Sequence, residues 1–308
     1  MKGRYKSTPF VPYGTGAAVD AFEAVGNLPI RNYSGGKFPN VDKISAVTLM
    51  EQYGVAMEGC FNCPIRCKKK IKLTGAPWPV DTIYGGPEYE TLAAFGSNLL
   101  IDDLPAICKA HEICNRYGID TISTGATVAF AMECFEKGLL SPEDVGGLQL
   151  NFGNAPAMVE LVEQIARRQG FGDILAQGSK KAAEIIGRNS IEYAMQIKGL
   201  EIPFHEPRLN QGLSIHYSIH AIGPDHVSGL IDNVLVGQLD NWDRIDRAEE
   251  LPPTELSSRK TRMEYELGLY RGLFNYLGIC AFMPWNITDL RGCQKLFERV
   301  FFILFEKL

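Results

Sequence analysis

The sequence predicts a mainly α protein made of two helical domains, and three observations carry that expectation. Apolar residues recur at helical spacing in eight separate segments, strand-like runs number only two, and one long irregular stretch divides the chain. The helical segments are, in order, "AAVDAFEAVG" (17–26), "KISAVTLMEQYG" (43–54), "EYETLAAFGSNL" (88–99), "LPAICKAHEICNRYG" (104–118), "TGATVAFAMECFEKG" (124–138), "APAMVELVEQIARRQG" (155–170), "SKKAAEIIG" (179–187) and "TELSSRKTRMEYELGLYRG" (254–272). In the sixth, Met158, Leu161, Val162, Ile165 and Ala166 fall at i, i+3, i+4, i+7 and i+8, and Gly170 supplies the stop. Ser141, followed by Pro142, Glu143 and Asp144, reads as a further helix start, with proline at the first helical position and acids in the first turn. The strand-like runs are "KKIKLTG" (69–75) and "GLQLNF" (147–152).

The irregular stretch "KGLEIPFHEPRLNQG" (198–212) carries two prolines and few periodic apolar positions. It places a domain boundary near residue 197, giving units 1–197 and 198–308; the same irregularity also suits a loop that lines a site. The terminal "LFERVFFILFEKL" (296–308) is apolar, yet Glu298, Arg299, Glu306 and Lys307 interrupt it and it is too short to span a bilayer. It reads either as a core helix cut short, so that the second domain is truncated, or as a terminal helix docked on its own domain.

With 308 residues, 45% of them hydrophobic, the chain is long enough for a sizeable core. A formal net charge of -5 offers no overall positive field for nucleic acid or anionic lipid, so neither partner is expected. The N-terminus lacks the unbroken apolar run of a secretion signal, which points to the cytoplasm. There, eight cysteines with three bunched together suit metal better than a disulfide framework.

The bunched three are Cys60, Cys63 and Cys67 in "GCFNCPIRC", a C-x2-C-x3-C spacing. Short gaps let sulfurs from a single loop wrap one corner of a cubane cluster. A four-cysteine zinc site usually has two knuckles, and the second is missing, so the spacing favours an iron–sulfur cluster over zinc. The fourth ligand must come from elsewhere. Cys280 follows Gly278 in a turn-like segment, whereas Cys108, Cys114 and Cys134 sit in apolar helical patterns and read as core, as does Cys293. A cluster closed by Cys280 would pin the two domains together. Lys68, Lys69 and Lys70 either steady a negatively charged cluster, attract an acidic redox partner, or form a solvated basic strand.

Six stretches, "YGTGAAVDAFEAVGNLPIRNYSGGKF" (13–38), "CFNCPIRC" (60–67), "GGPEYETLAAFGSN" (85–98), "YGIDTISTGATVAFAMECFEKG" (117–138), "GFGDILAQGSKKAA" (170–183) and "KGLEIP" (198–203), together resemble the tungsten-dependent aldehyde ferredoxin oxidoreductases, in order through nearly the whole chain. The resemblance is to the second and third, α-helical, domains of that family, without its N-terminal β-rich domain. It implies that Cys60, Cys63, Cys67 and Cys280 bind one [4Fe–4S] cluster, and that tungsten or molybdenum is held by two pterin cofactors. The family's pterin motifs, D-x-x-G-L-(C/D), correspond here to "NRYGID" (115–120) and "NYLGIC" (275–280). Asn115, Asp120, Asn275, Gly278, Ile279 and Cys280 are therefore the expected pterin-binding positions. Asparagine replaces the leading aspartate both times. A charged hydrogen bond contributes roughly 1.5–3 kcal/mol and a neutral one roughly 0.5–1.5, so each exchange weakens pterin holding by about 1 kcal/mol.

By the same resemblance Glu88 in "GPEYE" and His226 in "GPDH" match the family's glutamate and histidine near the metal. Glu88 would serve as general base and protonated His226 would donate a hydrogen bond to the substrate carbonyl. From the residues alone, Glu88 is a first-turn acid at a helix N-terminus and His226 a loop histidine. His205, His216 and His220 are additional candidates; "HYSIH" puts two imidazoles at i and i+4, a metal-ligand spacing on a helix. The expected reaction takes an aldehyde and water to a carboxylic acid, two electrons passing through the cluster to ferredoxin. Further expected partners are a separately encoded N-terminal pterin-binding domain and other copies of the chain in a homo-oligomer. The alternative is a non-catalytic iron–sulfur electron-transfer or scaffold module.

Overall fold

Side-chain caps written into the sequence open four of the longer helices in the computed structural model, which describes residues 10–61, 63, 65–75, 77–229, 231, 232, 251–276, 278, 280 and 282. The terminal stretch 296–308, Cys293 and Ile279 lie outside the described residues. Short helices α1 (Phe10–Tyr13) and α2 (Val19–Ala24) lead into α3 (Ala46–Tyr53), whose first turn is held by the Ser45 hydroxyl accepting from Thr48 N–H at 3.1 Å. After a hairpin of β1 (Gly54–Glu58) and β2 (Lys68–Ile71) come α4 (Tyr89–Phe95), α5 (Leu104–Tyr117) and α6 (Thr121–Glu136). Asp103 caps α5 and Asp120 caps α6, each accepting from a backbone N–H three residues on.

Helix α6 is buried without a break from Thr124 to Cys134, so it is the central rod around which the others pack. Gly125 makes this possible: a Cβ there would stand 2.6 Å from the Ala94 Cβ of α4. On another side lies α7 (Ala155–Arg167), which buries the expected stripe Met158, Leu161, Val162 and Ile165 against α5 and α6. Each of these side chains contributes roughly 1.5–3 kcal/mol when fully buried. The stop differs slightly from expectation, since Arg168, at φ 52, takes the left-handed position and Gly170 then opens α8 (Phe171–Leu175). Helix α9 (Ser179–Ile186) follows. Cys108, Cys114 and Cys134 are all fully buried in this core.

Three local expectations fail for identifiable reasons. Ser141 and Asp144 do bond reciprocally, at 2.9 and 3.3 Å, but Gly146 and Gly147 both take positive φ and close the segment as a turn instead of a helix. The run 147–152 has no strand partner and stays a loop. Conversely, β1 is not among the strand-like runs of the sequence; it pairs antiparallel with β2, Met57 opposite Lys69 and Glu58 opposite Lys68.

The irregular stretch 198–212 begins as a two-residue hairpin between β3 (Gln196–Ile197) and β4 (Leu200–Glu201), turned by Lys198 and Gly199, both at positive φ. It then runs across the helical core: Phe204 is fully buried, and the Tyr33 hydroxyl donates to Pro203 O at 2.6 Å. Helix α10 (Gln211–Ile219) follows, and α11 (Ser258–Tyr276) packs on it. Asp232 joins the two, accepting from Gly212 and Leu213 N–H at the start of α10 and from the Lys260 ammonium of α11 at 2.5 Å.

Candidate functional site

The three clustered cysteines occupy the loop of the β1–β2 hairpin. Cys63 N–H donates to Cys60 O at 2.9 Å, making a tight turn, and Arg66, at φ 52, reaches back to donate to Met57 O at 2.9 Å. Cys60 is exposed, Cys63 and Cys67 half-buried, and Cys280 exposed; all four are free thiols. Burial pushes the Cys67 thiol up, the Glu88 carboxylate adds to the shift, and the thiols of Cys280 and Cys63 add further. Cys280 therefore lies within electrostatic reach of Cys67, although the two come from opposite ends of the chain. Three free thiols carried on one hairpin loop are soft sulfur donors of the type that holds an iron–sulfur cluster, so the donor set fits one.

A buried network stands behind Cys67. The Lys69 side chain is fully buried with its ammonium 2.8 Å from Glu88 Oε1, and burial pushes the Lys69 group down although Glu88 works against it. Glu88 Oε2 accepts from Thr15 N–H at 2.8 Å and from the Thr15 hydroxyl at 2.6 Å. That hydroxyl oxygen in turn accepts from Tyr89 N–H at 2.9 Å, so Thr15 caps α4 from outside the helix. Gly14, at φ +63, closes this cage: a Cβ there would fall 2.7 Å from both Cys67 O and Glu88 Oε2. The three lysines thus have separate fates, with Lys69 in the interior, Lys70 paired to Glu58 at 2.6 Å, and Lys68 exposed.

His226 meets a different carboxylate from the expected one. Glu90 Oε1 lies 3.4 Å from His226 Nε2 and 3.1 Å from His205 Nε2, while Glu90 Oε2 accepts from Phe204 N–H at 2.8 Å. Burial works to raise the Glu90 carboxyl, but His226, His205 and the Phe204 N–H outweigh it and hold the group below the ordinary carboxylate range. Burial pushes His226 down, against the pull of Glu90. The tautomer of His205 follows from its surroundings. Asn27 Oδ1 accepts from Glu206 N–H at 3.0 Å, so Asn27 Nδ2 is the amide donor facing His205 Nδ1 at 3.2 Å. The imidazole proton then sits on Nε2, directed at Glu90. Tyr89 stacks on His205 at 4.9 Å between centroids and donates its hydroxyl to Phe204 O at 2.6 Å. His226 and Glu90 keep 19% and 15% of their side chains exposed, whereas His205 keeps 4%, so solvent reaches the cluster on the His226 and Glu90 side.

Both pterin motifs are built as helix ends. Helix α5 stops at Gly118, φ +69, and α11 runs through Asn275 to Tyr276 before Gly278, φ +64. The glycine of each motif is thus the left-handed residue that turns the chain out of a helix. Asn115 is exposed and commits its amide donor to His111 O at 2.9 Å, so its carbonyl oxygen is the group that would accept from the N–H edge of a pterin. Asp120 accepts from Ser123 N–H at 2.7 Å and lines a cleft of about 280 Å³ with Thr124, Thr127 and Arg168. Asn275 is exposed near Cys280 in sequence. These positions suit a donor-rich ring, with one acceptor oxygen at each asparagine.

Fold and comparisons define first a class, the helical domains of a family of longer proteins. A family model described as aldehyde ferredoxin oxidoreductase, domains 2 & 3, matches residues 2–301, and the chain belongs to that family. It is 33% identical over 277 residues to the tungsten-containing aldehyde ferredoxin oxidoreductase of Pyrococcus furiosus, covering 89% of this chain and 43% of that protein. The enzyme of the same name from Thermococcus kodakarensis is 32% identical with the same coverage. The aliphatic sulfonate oxidoreductase WOR-like subunit of P. furiosus is 32% identical over 235 residues, 74% of this chain and 37% of that one. The chain thus spans less than half the length of these relatives. Among solved structures, the active site complex BamBC of benzoyl coenzyme A reductase with 1,5-dienoyl-CoA shares the fold. Its TM-score is 0.54 at 22% identity, over 74% of this chain and 33% of that chain. Among the described residues, no helix is long and apolar enough to cross a membrane.

Proposed function

We propose that this chain forms the helical part of a tungsten- or molybdenum-pterin enzyme that oxidises an aldehyde to a carboxylic acid and passes two electrons through a [4Fe–4S] cluster to ferredoxin. The observation that carries the reading is the mounting of Cys60, Cys63 and Cys67 together on one hairpin loop; Cys280, which ends the second pterin motif and lies within electrostatic reach of Cys67, is the proposed fourth cluster ligand. Cluster and pterin centre would then be neighbours, as electron transfer requires. The balance is aldehyde plus water to carboxylic acid, two protons and two electrons; the metallopterin, when bound, supplies the two-electron acceptor.

The chain's own residues handle protons. The ionised Glu90 beside His226 is placed to accept a proton from the attacking water, and His226, open to solvent, exchanges it with bulk water. His226 also donates a hydrogen bond to the carbonyl oxygen when protonated. His205, fixed by Asn27, donates to Glu90 and orients it. Glu88, the base expected from the sequence, instead bridges Lys69, Thr15 and the surroundings of Cys67, a place suited to tuning the cluster.

A second reading, a cluster-bearing module without catalysis, draws support from the asparagines that stand in both pterin motifs. Anaerobic metal analysis together with aldehyde-dependent reduction of ferredoxin separates the two. Tungsten or molybdenum with iron, and reduction, supports the enzyme; iron alone supports the module; zinc alone in the cysteine site overturns both. A further N-terminal domain, further copies of the chain and a cytoplasmic location belong to the same proposal.

A further inference from the structure

The two histidines of "HYSIH" are absorbed by neither the cysteine centre nor the Glu90 cluster. His216 and His220 lie on one face at the end of α10, their rings 4.8 Å apart, and a ligand atom from each lies within 4.8 Å of the other and of the Asp225 carboxylate. Three features mark this as a prepared donor set. His216 is 94% buried by its 6% exposure, and its Nδ1 faces Glu264 Oε1 of α11 at 3.3 Å, which leaves Nε2 as the coordinating nitrogen. A carboxylate behind a metal-binding imidazole is the usual outer-shell arrangement that fixes tautomer and ring orientation. Second, His216 Nε2 and His220 Nδ1 are both buried with no hydrogen-bond partner among the described residues, a cost that a bound cation would remove. Third, the geometry is held from outside. Asp225 accepts from Val227 N–H at 2.8 Å and Ser228 N–H at 3.2 Å, which orients its carboxylate, and Gly229 packs so close that a Cβ there would stand 2.5 Å from His216 Cγ.

We infer that His216, His220 and Asp225 form a binding site for one divalent first-row cation, zinc or ferrous iron, separate from the cysteine cluster. Two imidazoles and one carboxylate suit either ion and leave a coordination position open. Because Asp225 directly precedes His226, the ion would clamp the 221–229 segment onto α10 and so fix the histidine that faces Glu90. That consequence rests on the proposed function; the metal site does not.

The test is an anaerobic cobalt(II) titration of the chelator-treated full chain. Cobalt held by nitrogen and oxygen gives visible d–d bands without the sulfur-to-cobalt charge-transfer band that the cysteine loop would produce. The wild type is expected to show one equivalent of such bands, retained in Cys60→Ser/Cys63→Ser. His220→Gln, at a half-buried position, is expected to weaken binding by about a hundredfold or more, with circular dichroism unchanged. Metal analysis of untreated protein then distinguishes the natural ions: one equivalent of zinc, or iron in excess of the cluster. Undiminished bands in His220→Gln, or no nitrogen–oxygen bands in the wild type, would overturn the site whether or not the chain oxidises aldehydes.

Discussion

Replacing Lys260 by methionine removes one charge from an interior pair and little else. Lys260 and Asp232 are both fully buried, with 2.5 Å between ammonium and carboxylate, and Lys260 Nζ also donates to Pro252 O at 2.9 Å. Methionine keeps most of the aliphatic volume, so packing of α11 on α10 should survive. Breaking a buried pair from one side typically costs about 3–5 kcal/mol, because the remaining charge is left uncompensated. Here Asp232 keeps the N–H groups of Gly212 and Leu213, which still stabilise its negative charge. The lower end of the range, about 3 kcal/mol, is therefore expected. For a chain of 308 residues that corresponds to a fall in Tm of about 5 °C. Urea unfolding followed by circular dichroism would measure it. A loss below about 1 kcal/mol would show that Asp232 does not depend on Lys260, and the argument for the pair as the tie between α10 and α11 would fail.

Cys280→Ala is expected to lose the brown visible absorbance of the anaerobically purified protein; an unchanged spectrum would remove Cys280 from the ligand set. In pterin-loaded protein, Glu90→Gln should lower kcat/KM by about 10²–10⁴-fold, with Glu88→Gln milder; the reverse order would return the base to Glu88. Burial pushes His111 down to about 4, so between the ordinary imidazole value of 6.5 and about 4 the unfolded chain binds a proton that the folded chain refuses. Stability from this group is full above pH 6.5 and falls as pH declines, by up to about 1.4 kcal/mol per pH unit. His111→Asn should flatten that part of a pH–denaturation series, and an unaltered slope would count against the assignment.

Eight of the helices were legible because their signals are local, whereas α1, α8 and α10, all short, lie outside the periodic segments. The stripe of α7 and the periodic run of α5 up to the glycine of "NRYG" can be read within a few turns of chain. The cysteine loop was legible by spacing, but its mounting on a hairpin was not. Strand β1 has no alternation of its own and is defined by its ladder with β2. The choice between Glu88 and Glu90 was illegible for a similar reason. Only Tyr89 separates them, and their roles are assigned by Thr15 and Lys69 on one side and by His205 and His226 on the other, all distant in sequence. His205 sat in a stretch already suspected of lining a site, and its lone placement between two prolines was the available hint.

The hairpin that carries Cys60, Cys63 and Cys67 is closed by its own backbone ladder, and none of these three side chains belongs to the main apolar core. Zinc fingers, by contrast, unfold when stripped of their ion. Oxidative destruction of an inorganic centre at this hairpin should accordingly leave an intact apoprotein, ready to be rebuilt with iron and sulfide without passing through a denatured chain.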